Sequence, residues 1–277
     1  MLACRVVALV TNIPGPVAAA RLAALGAAVV KLEPLTGDPL EGAAPEWYRE
    51  LCTGVEVRRL DLRDEAARRE LEALLGGADL LITAMRGGAL RRLGLDWPAL
   101  HARYPRLCHV AVVGEAAPND DRAGHDLTYQ ARAGLLSPPA MPRTVYADLF
   151  AAERAVAAAL AAVHERDAGG EGVRAEIAIA DGAAVLADAV RYGLPAPDGP
   201  LGGGSPLYRL YRASDGWIAL AALEPHFRER LPDALCIERA DAESLASRFA
   251  QEPCAYWERI ASEFDLPLAR VENGGTR

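Results

Sequence analysis

Two side chains stand where proton chemistry could be done. His125 lies in a Gly124-His125-Asp126 turn that opens a short helical pattern, Leu127 to Ala133. Asp148 follows a loop broken by Pro138, Pro139 and Pro142, and it precedes an alanine-rich helix predicted from Leu149 to about His164. Each falls at a helix start, where the first backbone N–H groups lack intrahelical partners and the helix dipole favours negative charge. An imidazole changes charge near neutral pH and a carboxylate can serve as a base, so the pair suits proton chemistry at an acyl group. Spacing alone also fits a plainer role: Asp before an apolar helix is commonly an N-cap, and His beside Gly and Asp is commonly a turn residue.

The elements that must position this pair alternate strand and helix. Arg5–Val10 reads as a strand broken at Pro14-Gly15-Pro16, Val17–Leu25 as a helix ended by Gly26, and Ala28–Leu32 as the next strand. Val57–Leu60, a helix at Asp64–Leu75, Leu80–Ile82, short helices near Ala89–Leu93 and Pro98–Tyr104, and Cys108–Val113 continue the pattern. Apolar strands spaced by amphipathic helices imply an α/β fold whose mostly parallel sheet is covered on both faces. Ligands of such sheets sit beyond the strand C-termini. The first loop, Asn12 to Pro16, has a single glycine and lacks the dinucleotide fingerprint.

Composition bounds the function. The chain has 277 residues, 51% hydrophobic and 25% charged, which is ordinary for a globular protein of one large or two modest domains. A net charge of −8, with Arg scattered among acids, argues against nucleic acid. The five cysteines (Cys4, Cys52, Cys108, Cys236, Cys254) are far apart, which predicts reduced thiols in a cytoplasmic protein and no zinc. Met1 to Val10 is apolar but has no cleavage site after it, so a buried strand is expected rather than a signal peptide, and no run is long enough to cross a bilayer.

Beyond the central helices, Arg174–Ile177 reads as a strand and Ala180–Tyr192 as a helix. Composition then shifts, which predicts a large domain over 1–192, a linker over 193–203 and a small α+β domain over 204–277. In that lobe Leu207–Tyr211 and Trp217–Ala222 flank a hairpin turn at Ser214-Asp215-Gly216, and helices follow at Pro225–Leu235, Asp241–Phe249 and Ala255–Phe264 before Leu268–Val271. The four tryptophans are scattered and read as core or rim packing.

The order of short motifs resembles the class III CoA-transferase superfamily. The motifs are Pro14-Gly15-Pro16, Leu25-Gly26-Ala27 through Lys31-Leu32-Glu33-Pro34, Ala78-Asp79-Leu80-Leu81, Leu93-Gly94-Leu95, and Gly124-His125-Asp126-Leu127 with Ala147-Asp148. Gly203-Gly204-Ser205-Pro206-Leu207-Tyr208, Asp215-Gly216 and Leu223-Glu224-Pro225-His226-Phe227 extend the resemblance along nearly the whole chain. It implies a Rossmann-like CoA-binding domain, an acyl-CoA substrate, no tightly bound cofactor, and a homodimer or a partner subunit. Transferases of this superfamily attack the thioester with an aspartate, which Asp148 resembles. Its α-methylacyl-CoA racemases keep that aspartate and add a histidine and a glutamate paired with it, which His125 and Glu224 resemble. All three are present, so the resemblance leans to a racemase, with a transferase and a non-catalytic relative as alternatives. For CoA itself it points to Pro14, Lys31, Glu33, Arg86, Gly203 and Gly204. Lys31 and Glu33 close the strand near which the family places adenine, although pattern alone makes them a solvated rim. Gly202 to Gly204 fits a plain linker equally well, and His226 is expected to face water.

Chemistry accounts for those residue types. Moving a proton across an α-carbon needs two bases on opposite faces, and amides at the helix start after Asp148 would serve the enolate oxygen. Four departures from the family pattern carry expectations. Cys52-Thr53-Gly54-Val55-Glu56 replaces a cationic run expected at the CoA phosphates, and Arg58 and Arg59 point to opposite strand faces, so at most one compensates. Arg86-Gly87-Gly88 replaces Arg-Pro-Gly. Leu149-Phe150 replaces glycines, so Phe150 is expected to crowd the acyl sulfur. The sequence stops at Asn273–Arg277, where the family fold normally runs back into the large domain and closes an interlocked dimer.

Overall fold

Residues apolar on both strand faces become the centre of a parallel sheet. Strands β1 (Arg5–Leu9), β2 (Ala28–Glu33), β3 (Val55–Arg59), β4 (Leu80–Thr83), β5 (Cys108–Val113) and β6 (Arg174–Ala178) pair in the order β3-β2-β1-β4-β5-β6. Every residue of β4 and β5 is buried, as a strand between two helical layers requires. The computed structural model describes residues 3–272, and the end at 273–277 lies outside them. The chain divides into two compact units, one through Ala187 and one from Asp188.

In the first unit, α1 (Pro14–Ala24) opens directly on Pro14-Gly15-Pro16, so these residues begin the helix rather than precede it. Proline is tolerated there because the first-turn N–H has no partner to lose. A Cβ on Gly15 would lie 2.4 Å from Val10 Cβ and 3.2 Å from that of Ala84, so glycine lets the helix start press on the ends of β1 and β4. Two helices that the sequence reading omits follow β2: α2 (Pro39–Ala43) and α3 (Pro45–Leu51), each with proline in its first turn. Next come α4 (Glu65–Gly76), α5 (Gly87–Leu93), α6 (Trp97–Arg103), α7 (Asp126–Ala133), α8 (Tyr146–Gly169) and α9 (Ile179–Leu186). Val6, Ala8, Val29, Leu80, Ile82 and Val110 pack with the alanine face of α8 and with α1. On the other side, Val7, Leu9, Leu32 and Leu81 pack with Leu71, Leu75 and Leu100.

α8 begins three residues earlier than expected, so Asp148 lies inside its first turn and is not its N-cap, a position held by Val145. The helix predicted over Ala180–Tyr192 is interrupted at Ala187, and α10 (Asp188–Arg191) belongs to the second unit.

That second unit has a three-stranded antiparallel sheet, β7 (Tyr208–Arg212), β8 (Trp217–Ala221) and β9 (Leu268–Arg270), with α11 (Pro225–Leu235), α12 (Ala242–Phe249) and α13 (Cys254–Phe264). Trp257, fully buried, donates its indole N–H to Phe249 O at 3.1 Å. The 193–203 stretch, expected as a linker, is folded into turns, with Gly199 N–H donating to Ala196 O at 2.7 Å and Leu201 N–H to Leu194 O at 2.9 Å. A Cβ on Gly202 would fall 1.6 Å from Ala196 O, which explains the glycine.

Candidate active site

The strand order reverses between β1 and β4, and ligands of open α/β sheets bind at such a switch point. Two cavities meet there. One, of about 450 Å³, has walls from Leu32, Leu60, Leu62, Met85 and Leu93 at the strand ends, with Arg63 at its edge. The other, of about 230 Å³, brings together Pro14, Arg86, His125, Tyr129 and Asp148, with Asp120 and Arg122. Thr11, Ala84 and Met85 line both.

The Gly-His-Asp turn gives each residue a separate task. Tyr129 packs its hydroxyl so close to Gly124 and Gly114 that a Cβ on either would lie 2.2 Å away. His125, exposed, is the N-cap residue of α7, and its backbone N–H donates to Thr128 Oγ1 at 3.1 Å. Asp126 is buried and reaches across to α8, where its Oδ1 accepts from the N–H of Ala147 at 2.8 Å and of Asp148 at 3.1 Å. Its other oxygen takes the Gln130 amide. The cap of α8 thus comes from a residue 22 positions away.

Two chemical consequences follow from where Asp148 and Asp126 lie. Burial, and then the neighbouring Asp126 carboxylate, push the Asp148 carboxyl up to about 7, so it holds or releases a proton near neutrality. The Asp126 cap also removes the α8 amides expected to serve an enolate oxygen, because Asp126 already occupies them and Leu149 N–H donates to Val145 O. The amides of Asp126 and Leu127, in the first turn of α7, take no hydrogen bond among the described residues.

Of the two expected residues on β2, Glu33 lines the first cavity and Lys31 lines neither. Lys31 and Glu33 are not a solvated rim: both are 2% exposed and ion-paired to each other, because Asp38 and Tyr48 of the following segment fold over them. Gly203 lines a cavity of about 590 Å³ in the second unit with Tyr208 and Leu220, and Gly204 is in that unit too. Glu224 is the exposed N-cap residue of α11 in the second unit, and its side chain makes no cap hydrogen bond. His226 is exposed, as expected.

The departures also take physical form. Val55 and Glu56 open β3 at its N-terminal end, and the first cavity is met only from Leu60 onward. At about 3.3 Å per residue that is over 10 Å away. Arg58 is held by Glu56 and Glu70, and Arg59 by Glu41 and Glu33. Arg86 and Arg92, which line a third hollow with Met85 and Asp121, have no ion-pair partner among the described residues. Gly87 replaces proline where Asp120 Oδ2 would sit 1.8 Å from a Cβ. Phe150 turns toward α9, 3.2 Å from where a Cβ on Gly182 would be, and is not among the residues lining the Asp148 cavity.

Asp126, Tyr129, Asn12 and Arg122 are site residues that sequence reasoning missed. Only Asp126 left a signal, its place in the Gly-His-Asp turn.

Comparison with known proteins gives the family and the fold. The chain belongs to CoA-transferase family III, whose model matches residues 3–275. It is 30% identical to human α-methylacyl-CoA racemase over 93% of this chain and 74% of that protein. It is 28% identical to (R)-2-hydroxy-4-methylpentanoate CoA-transferase of Clostridioides difficile, over 79% of this chain. The match spans 62% of that transferase and 50% of a succinyl-CoA–D-citramalate CoA-transferase of Chloroflexus aurantiacus. A CaiB/BaiF family protein of Brucella suis has the same fold, with a TM-score of 0.79 at 24% identity over 98% of this chain and 83% of that one. No helix among the described residues is long and apolar enough to cross a membrane.

Proposed function

We propose that the chain inverts the α-carbon of a 2-methylacyl-CoA by two-base proton transfer. The observation that carries this reading is the pair His125 and Asp148 lining one cavity, with Asp148 raised to about 7 and therefore able to act as acid or base. Asp148 as carboxylate takes the α-proton from one face. The enolate forms between the two groups, and protonated His125 returns a proton from the other face. The return stroke exchanges the two roles. These steps use residues of the first unit alone; Glu224, which the resemblance pairs with the histidine, belongs to the second.

The CoA portion is assigned to the adjoining cavity. Its apolar wall suits an adenine ring, and Arg86 and Arg92 are the cations available for the phosphates, Arg63 being paired with Asp61. Arg86→Ala and Arg92→Ala are each expected to weaken CoA binding by about tenfold, or roughly 1 to 2 kcal/mol per charge-assisted contact. Val55→Lys with Glu56→Arg should leave affinity within about twofold, because those side chains sit at the far end of β3. Calorimetry with CoA reads both, and tighter binding by the double variant would put the phosphates at the start of β3.

Transferase relatives favour a second reading, in which ionised Asp148 attacks the thioester carbonyl, CoA leaves, and an acyl group is held on the carboxylate. Two measurements separate the readings. Deuterium entering C2 of a 2-methylacyl-CoA in deuterated water supports the racemase, and a hydroxamate released from the protein by hydroxylamine supports the transferase.

A further inference from the structure

Lys31 is an ammonium with almost no contact with water. Glu33 Oε1 accepts from it at 2.8 Å and Asp38 Oδ2 at 2.7 Å, and the Tyr48 ring centre lies 4.9 Å away. The Tyr48 hydroxyl donates to Glu33 Oε1 at 2.9 Å, which ties α3 to β2. A buried ion pair adds little net stability, since desolvation offsets most of the attraction. Its value here is directional. Asp38 uses its second oxygen, Oδ1, to accept from Leu40 N–H at 3.0 Å and from Asn12 N–H at 2.9 Å.

Asn12 has φ +69°, in the left-handed region that residues other than glycine seldom occupy. It lines the cavity of Asp148, and its neighbour Thr11 lines both cavities. Lys31, Asp38 and Tyr48 line neither. Lys31 fixes the Asp38 carboxylate in rotation, and Asp38 fixes the backbone of Asn12.

We propose that the buried Lys31–Asp38 pair is a positioning device that holds the Thr11–Asn12 turn across the junction of the two cavities, and so sets how a CoA thioester is presented to Asp148. Both are positioning residues that act through Asn12. The proposal rests on the acyl-CoA reading above.

The test combines α-proton exchange kinetics, using 2-methylbutanoyl-CoA, with amide hydrogen exchange at Asn12. Asp38→Ala removes the acceptor and is expected to lower kcat by at least about tenfold with KM changed less than about threefold, because small misplacement costs rate before affinity. The Asn12 amide should lose protection in the same variant. Asp38→Asn keeps an oxygen toward Asn12 and should restore most of kcat. Asn12→Gly and Asn12→Ala, at an exposed position, give a second reading that needs no change in the core. Both delete the side chain, but only alanine resists φ > 0, so kcat should fall further in Asn12→Ala. A folded Asp38→Ala variant with unchanged kcat, or equal rates in the two Asn12 variants, overturns the proposal. If the wild type exchanges no α-proton, the acyl-CoA racemase reading is what fails. The device is then judged by the amide alone, and unchanged Asn12 protection in Asp38→Ala overturns it.

Discussion

Asp148→Asn is expected to lower α-proton exchange from one face of a 2-methylacyl-CoA by about 10²- to 10⁴-fold, the usual loss when a positioned acid or base is removed. The amide that replaces the carboxyl can neither take nor return the proton. His125→Ala should cause a loss of the same size from the opposite face. Its fold should be unaffected, because His125 is exposed and α7 keeps the Thr128 contact to the backbone of residue 125. The two variants together distinguish two bases from one. If His125→Ala loses nothing while Asp148→Asn loses everything, a single carboxylate does the chemistry, as a transferase requires. Measuring exchange separately with each substrate enantiomer supplies the contrast.

The second large effect is on stability against pH. Burial and the Asp126 carboxylate push the Asp148 carboxyl up to about 7 in the folded chain, from the ordinary 3.8 that it has when unfolded. Between those values the folded state binds more protons than the unfolded one, so this group makes stability fall as pH rises from about 4 to about 7 and level off above. At about 1.36 kcal/mol per unit the loss is on the order of 4 kcal/mol. Asp61 pulls the other way in a separate window: Arg63 holds its carboxyl down at about 2, so its contribution is lost only as pH falls below about 4. Asp148→Asn should remove the slope between pH 5 and 7 and be the more stable protein at pH 8. Its amide can donate toward Asp126, where the carboxylate was repelled. Denaturant midpoints at pH 5 and pH 8 for both proteins check this, and parallel pH profiles would show that Asp148 is not raised.

What the sequence made legible follows from how local each signal was. β1, β2, β4 and β5 announce themselves because both strand faces are apolar, and the Gly-His-Asp turn with Asp148 carried the site. The misses depend on distant partners. Asp148 resembles an N-cap, yet the α8 amides are capped by Asp126 from another helix. Lys31 and Glu33 look like a polar strand end until Asp38 and Tyr48 close over them. Helical spacing alone puts Phe150 near the thioester, because it does not say that Gly182 leaves room for the ring on the opposite side. Pro39 and Pro45 suggest loop, but each opens a helix, a position where proline has no hydrogen bond to break. Val55 and Glu56 open β3, and the cavity is lined from Leu60 onward, a distance along the strand that motif spacing does not convey.

The most direct test takes one pure enantiomer of a 2-methylacyl-CoA, incubates it with the wild-type protein in deuterated water, and follows C2 configuration and deuterium content together. The account predicts that the opposite enantiomer accumulates toward an equal mixture carrying deuterium at C2, with no acyl group released from the protein by hydroxylamine. Retention of both configuration and the C2 proton, with CoA bound and an acyl group trapped on Asp148, would contradict it.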